Sequence, residues 1–317
     1  MLTAWLIYGR EEAEYNKHYI ALYFEEGRKR NIRFRLVIAE KLYFGTRDGE
    51  LYIRYHEALD YGGMGAEGGE QDLLIQGCKG ERPDFAICRI IYPLISMQLE
   101  GMGIPVFNCA KTAGICNDKA RTYQYLAGMG IQMIDTRFCR RDYAAEQIRG
   151  LEAVIREGGK EGGLCRYVVK TVDGHGGGQV YLLENGNGEE IIRKAGGSDL
   201  VIQPLVGSRR QDLRVYVVGS QIVGAVLRTA KSDFRSNYSL GGDVRLYQLS
   251  AAEIAVVEKI VSCFTFGMAG IDFIIGDNGE LIFNEIEDVV GARMLYQCMD
   301  INLVGIYLDS VLESLNK

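Results

Sequence analysis

Two stretches read as β-hairpins, and their polar residues constrain the chain more than anything else in it. DLRVYVVGSQIVGAVLRTA runs from Asp212 to Ala230 with a turn at Gly219-Ser220. AGIDFIIGDNGELIFNEIE runs from Ala269 to Glu287 and turns at Asp277-Asn278-Gly279. Residues two apart share a strand face, so Glu285 and Glu287 point the same way. With that turn, Asp272 faces them from the partner strand. Three carboxylates on one face repel one another unless a cation sits among them, and a hard oxygen set suits Mg²⁺. A solvated sheet edge also carries alternating acidic residues. Phe273, Ile274, Phe283 and Ile286 mark a covered sheet instead, which favours the metal.

In the first hairpin Asp212, Arg214 and Arg228 alternate with apolar residues, so both arginines can reach one face. Arginine suits bidentate binding of carboxylate or phosphate, although either arginine alone also fits the surface of a hairpin. Asn237 and the pair Gly241-Gly242 follow.

A third feature is the glycine loop KTVDGHGGGQV, Lys170 to Val180, between two apolar runs. It lacks the GxxxxGK[ST] of a phosphate-binding P-loop. The literal GxGxxG, Gly63 to Gly68, lies in a polar loop with no strand before it and is set aside. HGGG resembles the oxyanion loop of some esterases, but the chain has no GxSxG elbow for their nucleophile. Left open are a phosphate cradle of backbone N–H groups beside Lys170 and a plain hairpin turn. His175 could touch a phosphate, but a loop residue facing solvent is the simpler reading.

Around these features the chain alternates strand and helix. AWLIYG and FRLVIAEK flank a helix at about Asn16 to Lys29. PDFAICR and IPVFNCA flank another, as expected of a parallel α/β layer. NDKARTYQYLAGMGIQMIDT predicts a helix capped by Asn117 or Asp118, ended by Gly128 or Gly130, then a strand. AAEQIRGLEAVIREGG is an amphipathic helix, CRYVVKTV, GQVYLLE and LVIQPLV are strands, and SAAEIAVVEKIVSCFTF and NLVGIYLDSVLESL are helices. At 317 residues the chain is long enough for more than one lobe. The net charge of -6 argues against nucleic acid as the main partner. Eight cysteines without a CxxC read as reduced thiols of a cytoplasmic protein. Three histidines cannot build a His-rich metal site, no basic residue precedes the first apolar run as in a signal peptide, and no apolar run is long enough to span a bilayer.

Taken in order, the lysine with its glycine loop, QPLV, DLR, the strand-borne Arg228, DFRSN with GG, Asp272 and ExE resemble the ATP-grasp superfamily, and within it the RimK-like carboxylate–amine ligases that join glutamate or other amino acids. The resemblance covers roughly residues 117–291. It implies an α/β, ATP-grasp fold: an N-terminal parallel α/β (pre-ATP-grasp) domain over 1–110, a small central lid over 111–200 and a C-terminal α+β part over 201–317 with the metal and catalytic residues. It implies that Lys119 and Lys170 contact ATP phosphates beneath a loop containing Gly174 and Gly177. Gln203, Leu205 and Val206 form the hinge whose backbone meets adenine, and Asp212 lies by the nucleotide. Asp272, Glu285 and Glu287 hold two Mg²⁺ ions, with Mn²⁺ as a substitute. Arg228 and Asn237 steady the transferred phosphoryl group, and Arg214 lies near the acceptor carboxylate.

The implied reaction joins a small-molecule carboxylate to an amine, amino acids or a peptide, through an acyl phosphate. No nucleic acid or membrane takes part, and a homo-oligomer is compatible with it. The rival classes are an ATP-grasp kinase and a non-catalytic nucleotide-binding module. The chain departs from the family pattern at Glu287, where Asn is usual, at Thr171 and Gln179, where Pro and Gly are usual, and at EDVVGARM, which keeps Gly291 but loses a proline.

Overall fold

The computed structural model describes residues 1–55, 82–158, 166–184, 186–230 and 243–316. Asn237, the pair Gly241-Gly242, His56 and the Gly63–Gly68 match lie outside the described residues. Two compact units are formed: residues 1–114 with 265–268 and 301–317, and residues 115–264 with 269–300.

The first unit is built on a four-stranded parallel sheet of β1 (Leu2–Tyr8), β2 (Ile32–Ile38), β5 (Phe85–Cys88) and β6 (Val106–Phe107), in the order β2-β1-β5-β6. β1 ends in five consecutive buried residues, as expected of a central parallel strand covered on both faces. The expected helix is Lys17–Lys29, preceded by a short turn of helix at Arg10–Tyr15. Between β2 and β5 lies a hairpin, β3 (Leu42–Arg47) and β4 (Glu50–Tyr55). Its turn residues Asp48 and Gly49 have φ of 52° and 82°, the positive pair of a primed two-residue turn. Ile53 and Tyr55 of β4 join Trp5, Ile7, Ile95 and Leu99 in one core. The final helix, Leu303–Leu315, belongs to this unit, and Arg30 binds Asp309 through two bonds of 2.7 and 2.9 Å.

The second unit carries two sheets. β7 (Arg137–Cys139), β8 (Tyr167–Thr171), β9 (Val180–Leu183) and β10 (Leu200–Pro204) pair antiparallel in the order β7-β10-β8-β9. The amphipathic helix Ala144–Gly158 covers them, burying Ala144, Ile148 and Leu151 against Val169 and Ile202. β11 (Gln211–Val218), β12 (Gln221–Thr229), β13 (Asp243–Leu246), β14 (Met268–Ile275) and β15 (Leu281–Glu287) form the other sheet, in the order β13-β12-β11-β14-β15. Both expected hairpins are present, β11–β12 turning at Gly219-Ser220 and β14–β15 at 276–280. The helix Ala251–Val261 starts with a capping box in which Ser250 and Glu253 satisfy each other's backbone N–H.

The helix Lys119–Leu126 is capped by Asp118, whose side chain accepts from Arg121 N. The strand expected after it does not form. Gly128 and Gly130 turn the chain at φ of 80° and 66°, and the following residues make only a single bridge, Met133 to Phe283. Mixed α/β layers of this kind, one parallel sheet and antiparallel sheets, agree with the expected fold class. Among the described residues no helix is long and apolar enough to cross a membrane.

Candidate active site

The second unit assembles most of the residues singled out from the sequence. Asp272 pairs directly with Glu285 across β14–β15, and the register shifts just after it, so that Phe273 faces Phe283. Asn284 is the residue left over, a β-bulge that re-aims the strand. Lys170, the next-to-last residue of β8, donates from Nζ to Asn284 Oδ1 at 2.8 Å. Lys119, at the first turn of its helix, lies 3.5 Å from Glu285 Oε2 and also donates to the carbonyl of Gly174. Asn284 and Glu285, adjacent in sequence, therefore both meet the lysines.

The arginines are spent on the acidic residues. Arg214 grips Asp272 with Nε at 2.8 Å and Nη2 at 2.6 Å, and its Nη1 reaches Glu287 Oε2 at 2.7 Å. Arg228 donates from Nη2 to Asp272 at 2.8 Å and from Nε to Asp212. Asp272, Glu285 and Glu287 each offer one carboxylate oxygen, all within 4.8 Å of one another. Four cations (Lys119, Lys170, Arg214, Arg228) thus face four carboxylates (Asp212, Asp272, Glu285, Glu287).

That balance is uneven. Arg214 and Arg228 outweigh the burial of Asp272 and hold its carboxyl below the ordinary range. Lys119, with Lys170 and Arg214, does the same for Glu285 against its burial. Burial pushes Glu287 up, with Asp272 and Glu285 adding to it and Arg214 opposing. Burial and Asp272 raise Asp212 despite Arg228. Burial lowers the Lys170 ammonium to about 8 against the pull of Glu285. A dication among three carboxylate oxygens would favour the charged form of Glu287, so this hard-oxygen donor set fits Mg²⁺.

Beside these groups lies a pocket with apolar walls from Ile134, Val168, Val180 and Ile274. Lys170, Asp212 and Asn284 line it, as do Gln203, Leu205 and Val206. Gly207, at φ 79°, closes the segment against β14, where a Cβ would come within 2.6 Å of Ile274 Cγ2 and 3.0 Å of Ile275 O. Gln203 is fully buried and donates to Thr136 Oγ1 at 2.8 Å.

The glycine loop joins β8 to β9. Gly174 is required by close packing, since a Cβ there would lie 2.5 Å from Thr171 Oγ1 and 2.8 Å from Gln179 Oε1. Gly177 has φ 75°. Thr171 and Gln179, two of the departures from the family pattern, hydrogen-bond each other through their side chains at 2.7 Å and close the base of the loop. His175 keeps an exposed surface, while partial desolvation of its ring and then the charge of Lys119 lower its pKa.

Every site residue named from the sequence except Asn237 falls within this unit. Arg214 has all three guanidinium nitrogens engaged by Asp272 and Glu287. Asn284, Gly207 and the pocket walls Ile134, Val168, Val180 and Ile274 were not among the site residues expected from the sequence. Asn284 carried a signal, because strict alternation would set an amide among Ile282 and Ile286 on the apolar face.

The model of the RimK-like ATP-grasp domain matches residues 116–311, more than half of the chain. The uncharacterized protein MG011 homolog of Mycoplasma pneumoniae is 27% identical over 200 residues, covering 62% of this chain and 64% of the relative. A probable alpha-L-glutamate ligase of Vibrio vulnificus is 27% identical over 219 residues, covering 68% and 69%. The match thus spans just under two thirds of the Mycoplasma relative. The crystal structure of D-alanyl-alanine synthetase A from Vibrio cholerae superposes with a TM-score of 0.69 at 14% identity, over 100% of this chain and 99% of that one. The expected ATP-grasp fold is therefore present.

Proposed function

Because the chain belongs to the RimK-like ATP-grasp family, we propose that it is an ATP-dependent carboxylate–amine ligase that forms an amide or peptide bond and releases ADP and phosphate. The observation that carries this reading is the run of groups in the second unit: an apolar pocket, then Lys170 and Asn284, then three clustered carboxylates. It is supported by the similarity to a probable alpha-L-glutamate ligase.

In this reading the apolar walls hold adenine against the Gln203–Val206 segment, and Asp212 lies by the nucleotide. Lys170 and Lys119 neutralise phosphate oxygens, and the loop with Gly174 and Gly177, in the lid segment 111–200, closes over them. Asp272, Glu285 and Glu287 would hold Mg²⁺, two ions in this reading, which when bound would neutralise phosphate charge. Arg214 and Arg228 fix Asp272 as a ligand, and Arg228 offers Nη1 to the transferred phosphoryl group, a role shared in this reading by Asn237, which lies outside the described residues. A substrate carboxylate oxygen attacks the γ-phosphorus and ADP leaves. The amine nitrogen then attacks the acyl carbon, phosphate leaves with the carbon–oxygen bond, and the nitrogen loses a proton. Such phosphoryl transfer needs positioning and charge neutralisation rather than a protein nucleophile.

The test is ADP release from a panel of amino acids and small carboxylates, with hydroxylamine as the trapping amine. A hydroxamate product supports the ligase. A stable phosphorylated product identifies a kinase, and ADP release independent of any substrate, or none at all, identifies a nucleotide-binding module.

A further inference from the structure

Gln203 stands on the pocket face of its sheet. It pairs with Val168 across β10–β8, and both line the apolar pocket together with Lys170 and Asn284. Leu200 and Ile202, on the other face of β10, join the core beneath the helix Ala144–Gly158. Gln203 is 1% exposed, and its amide is held at one end only. Nε2 donates to Thr136 Oγ1 at 2.8 Å, while Oε1 is buried without a hydrogen-bond partner.

Thr136 decides which end is held. Its hydroxyl donates to the Ile134 carbonyl at 2.8 Å. A hydroxyl has one proton, so with that proton committed Oγ1 can only accept, and it must accept from the NH₂ of the amide. The Tyr123 hydroxyl is committed in the same way, to Phe283 O at 3.1 Å. Burial raises the Tyr123 phenol, and hydrogen bonding with Gln203 opposes it. Hydroxyls with no proton to spare thus keep the nitrogen of the amide and leave its oxygen over. A buried acceptor with no donor is rare and costly. This one belongs to a side chain in the wall of a pocket, so the missing donor is an N–H on the occupant. Adenine carries an exocyclic amino group. Hypoxanthine and guanine carry a carbonyl oxygen at that ring position, which would set acceptor against acceptor.

We propose that Thr136 is a positioning residue for base selection: by accepting from Gln203 Nε2 it holds Oε1 ready for the amino group of adenine and against a base with a carbonyl there. This rests on the nucleotide site of the ligase reading and adds what enforces the choice of base. Without the Thr136 hydroxyl the amide is free to turn and present its NH₂ to the pocket instead.

The experiment is calorimetry on the full chain with Mg²⁺ and no carboxylate or amine. The probes are ATP, purine riboside triphosphate, which lacks the amino group, and ITP, which has a carbonyl in its place. The parent should bind purine riboside triphosphate severalfold more weakly than ATP, and ITP about tenfold or more weakly. In Thr136→Val the preference for ATP over ITP should fall about fivefold or more, and Thr136→Ser should restore it. Gln203→Met removes the acceptor and leaves Thr136 in place, so it should lower the preference by a similar factor whether or not Thr136→Val folds. The readout is the ratio of affinities, which a merely structural role would leave unchanged while weakening all three nucleotides together. Equal affinity of the parent for ATP and ITP overturns the proposal and leaves the ligase reading standing. So does a parent-like ratio in Thr136→Val or Gln203→Met, or a Thr136→Ser protein that behaves like Thr136→Val. A parent that binds no nucleotide removes the ligase reading and this proposal with it.

Discussion

Replacing Lys170 by Met should make the free protein more stable while abolishing tight ATP binding. The ammonium is buried, and its pKa falls from 10.5 to about 8. At 1.36 kcal/mol per pH unit, that holds about 3 kcal/mol against the folded state at pH 7. Methionine fills a similar volume without the charge, but leaves Asn284 Oδ1 without its 2.8 Å donor, a loss of about 1 kcal/mol. The net gain is about 2 kcal/mol, or roughly 4–8 °C in Tm for a cooperative unit of this size. The sign with pH follows from the depressed pKa. The unfolded chain holds the proton more tightly, so the penalty is complete below about pH 8 and is relieved as pH rises from 8 towards 10.5. The advantage of Lys170→Met should therefore shrink to about zero near pH 9.5. Unfolding in urea without nucleotide, at pH 7 and pH 9.5, measures this, and calorimetry at pH 7 measures ATP binding. A variant less stable than the parent at pH 7, or a difference that ignores pH, would refute burial as the dominant effect on Lys170. Unchanged ATP affinity in the folded variant would remove Lys170 from the nucleotide site.

Other outcomes follow from the same geometry. Glu285→Gln should lower ADP release by about a hundredfold or more, because a charged ligand becomes neutral. Glu287→Asn restores the usual amide, so it should keep measurable turnover and need more Mg²⁺; full activity at an unchanged Mg²⁺ requirement would show that Glu287 is not a ligand. Asp272→Asn leaves Arg214 and Arg228 facing a neutral amide and should cost about 3–5 kcal/mol, read from urea unfolding. Thr171→Val breaks the 2.7 Å bond to Gln179 and should raise the KM for ATP severalfold, with Thr171→Ser restoring it; equal KM values in all three proteins would disconnect that bond from the loop.

Much of the fold was legible because local pattern and tertiary demand agree. The alternation of LVIQP and VYLL, the amphipathic stripe of Ala144–Gly158 and the Asp118 cap each carry their own signal in a few adjacent residues. The hairpin β3–β4 carries an equally local signal, Asp48-Gly49 between apolar runs. The strand expected after Leu126 had the right composition but meets β15 at a single bridge, Met133 to Phe283, and a strand extends only as far as another offers its backbone groups. The placement of Leu303–Leu315 in the first unit was beyond local pattern, since an apolar helix face does not say which surface covers it.

The site divides along the same line. Glu285 and Glu287 share a face by simple period, and Asp272 opposes them once the turn is placed, so the carboxylate cluster follows from sequence spacing. What spacing alone could not show is the partner of each charge. Arg214 is held by Asp272 and Glu287, and the Glu that stands where the family pattern has Asn supplies the third of its bonds. Thr171 and Gln179 looked like two separate departures until their side chains met. Substitutions that break a local rule are thus tied to one another or to a charge, and each tie spans a distance in sequence that no periodicity encodes. The same reasoning applies to Asn284. One extra residue in β15 turns an apparent mismatch among isoleucines into the acceptor for Lys170, and it does so only because the register across Asp272 shifts. A lysine with its charge weakened by burial, held by a neutral amide and close to Glu285, is ready to bind a more highly charged partner than the protein itself provides, as a phosphate would be.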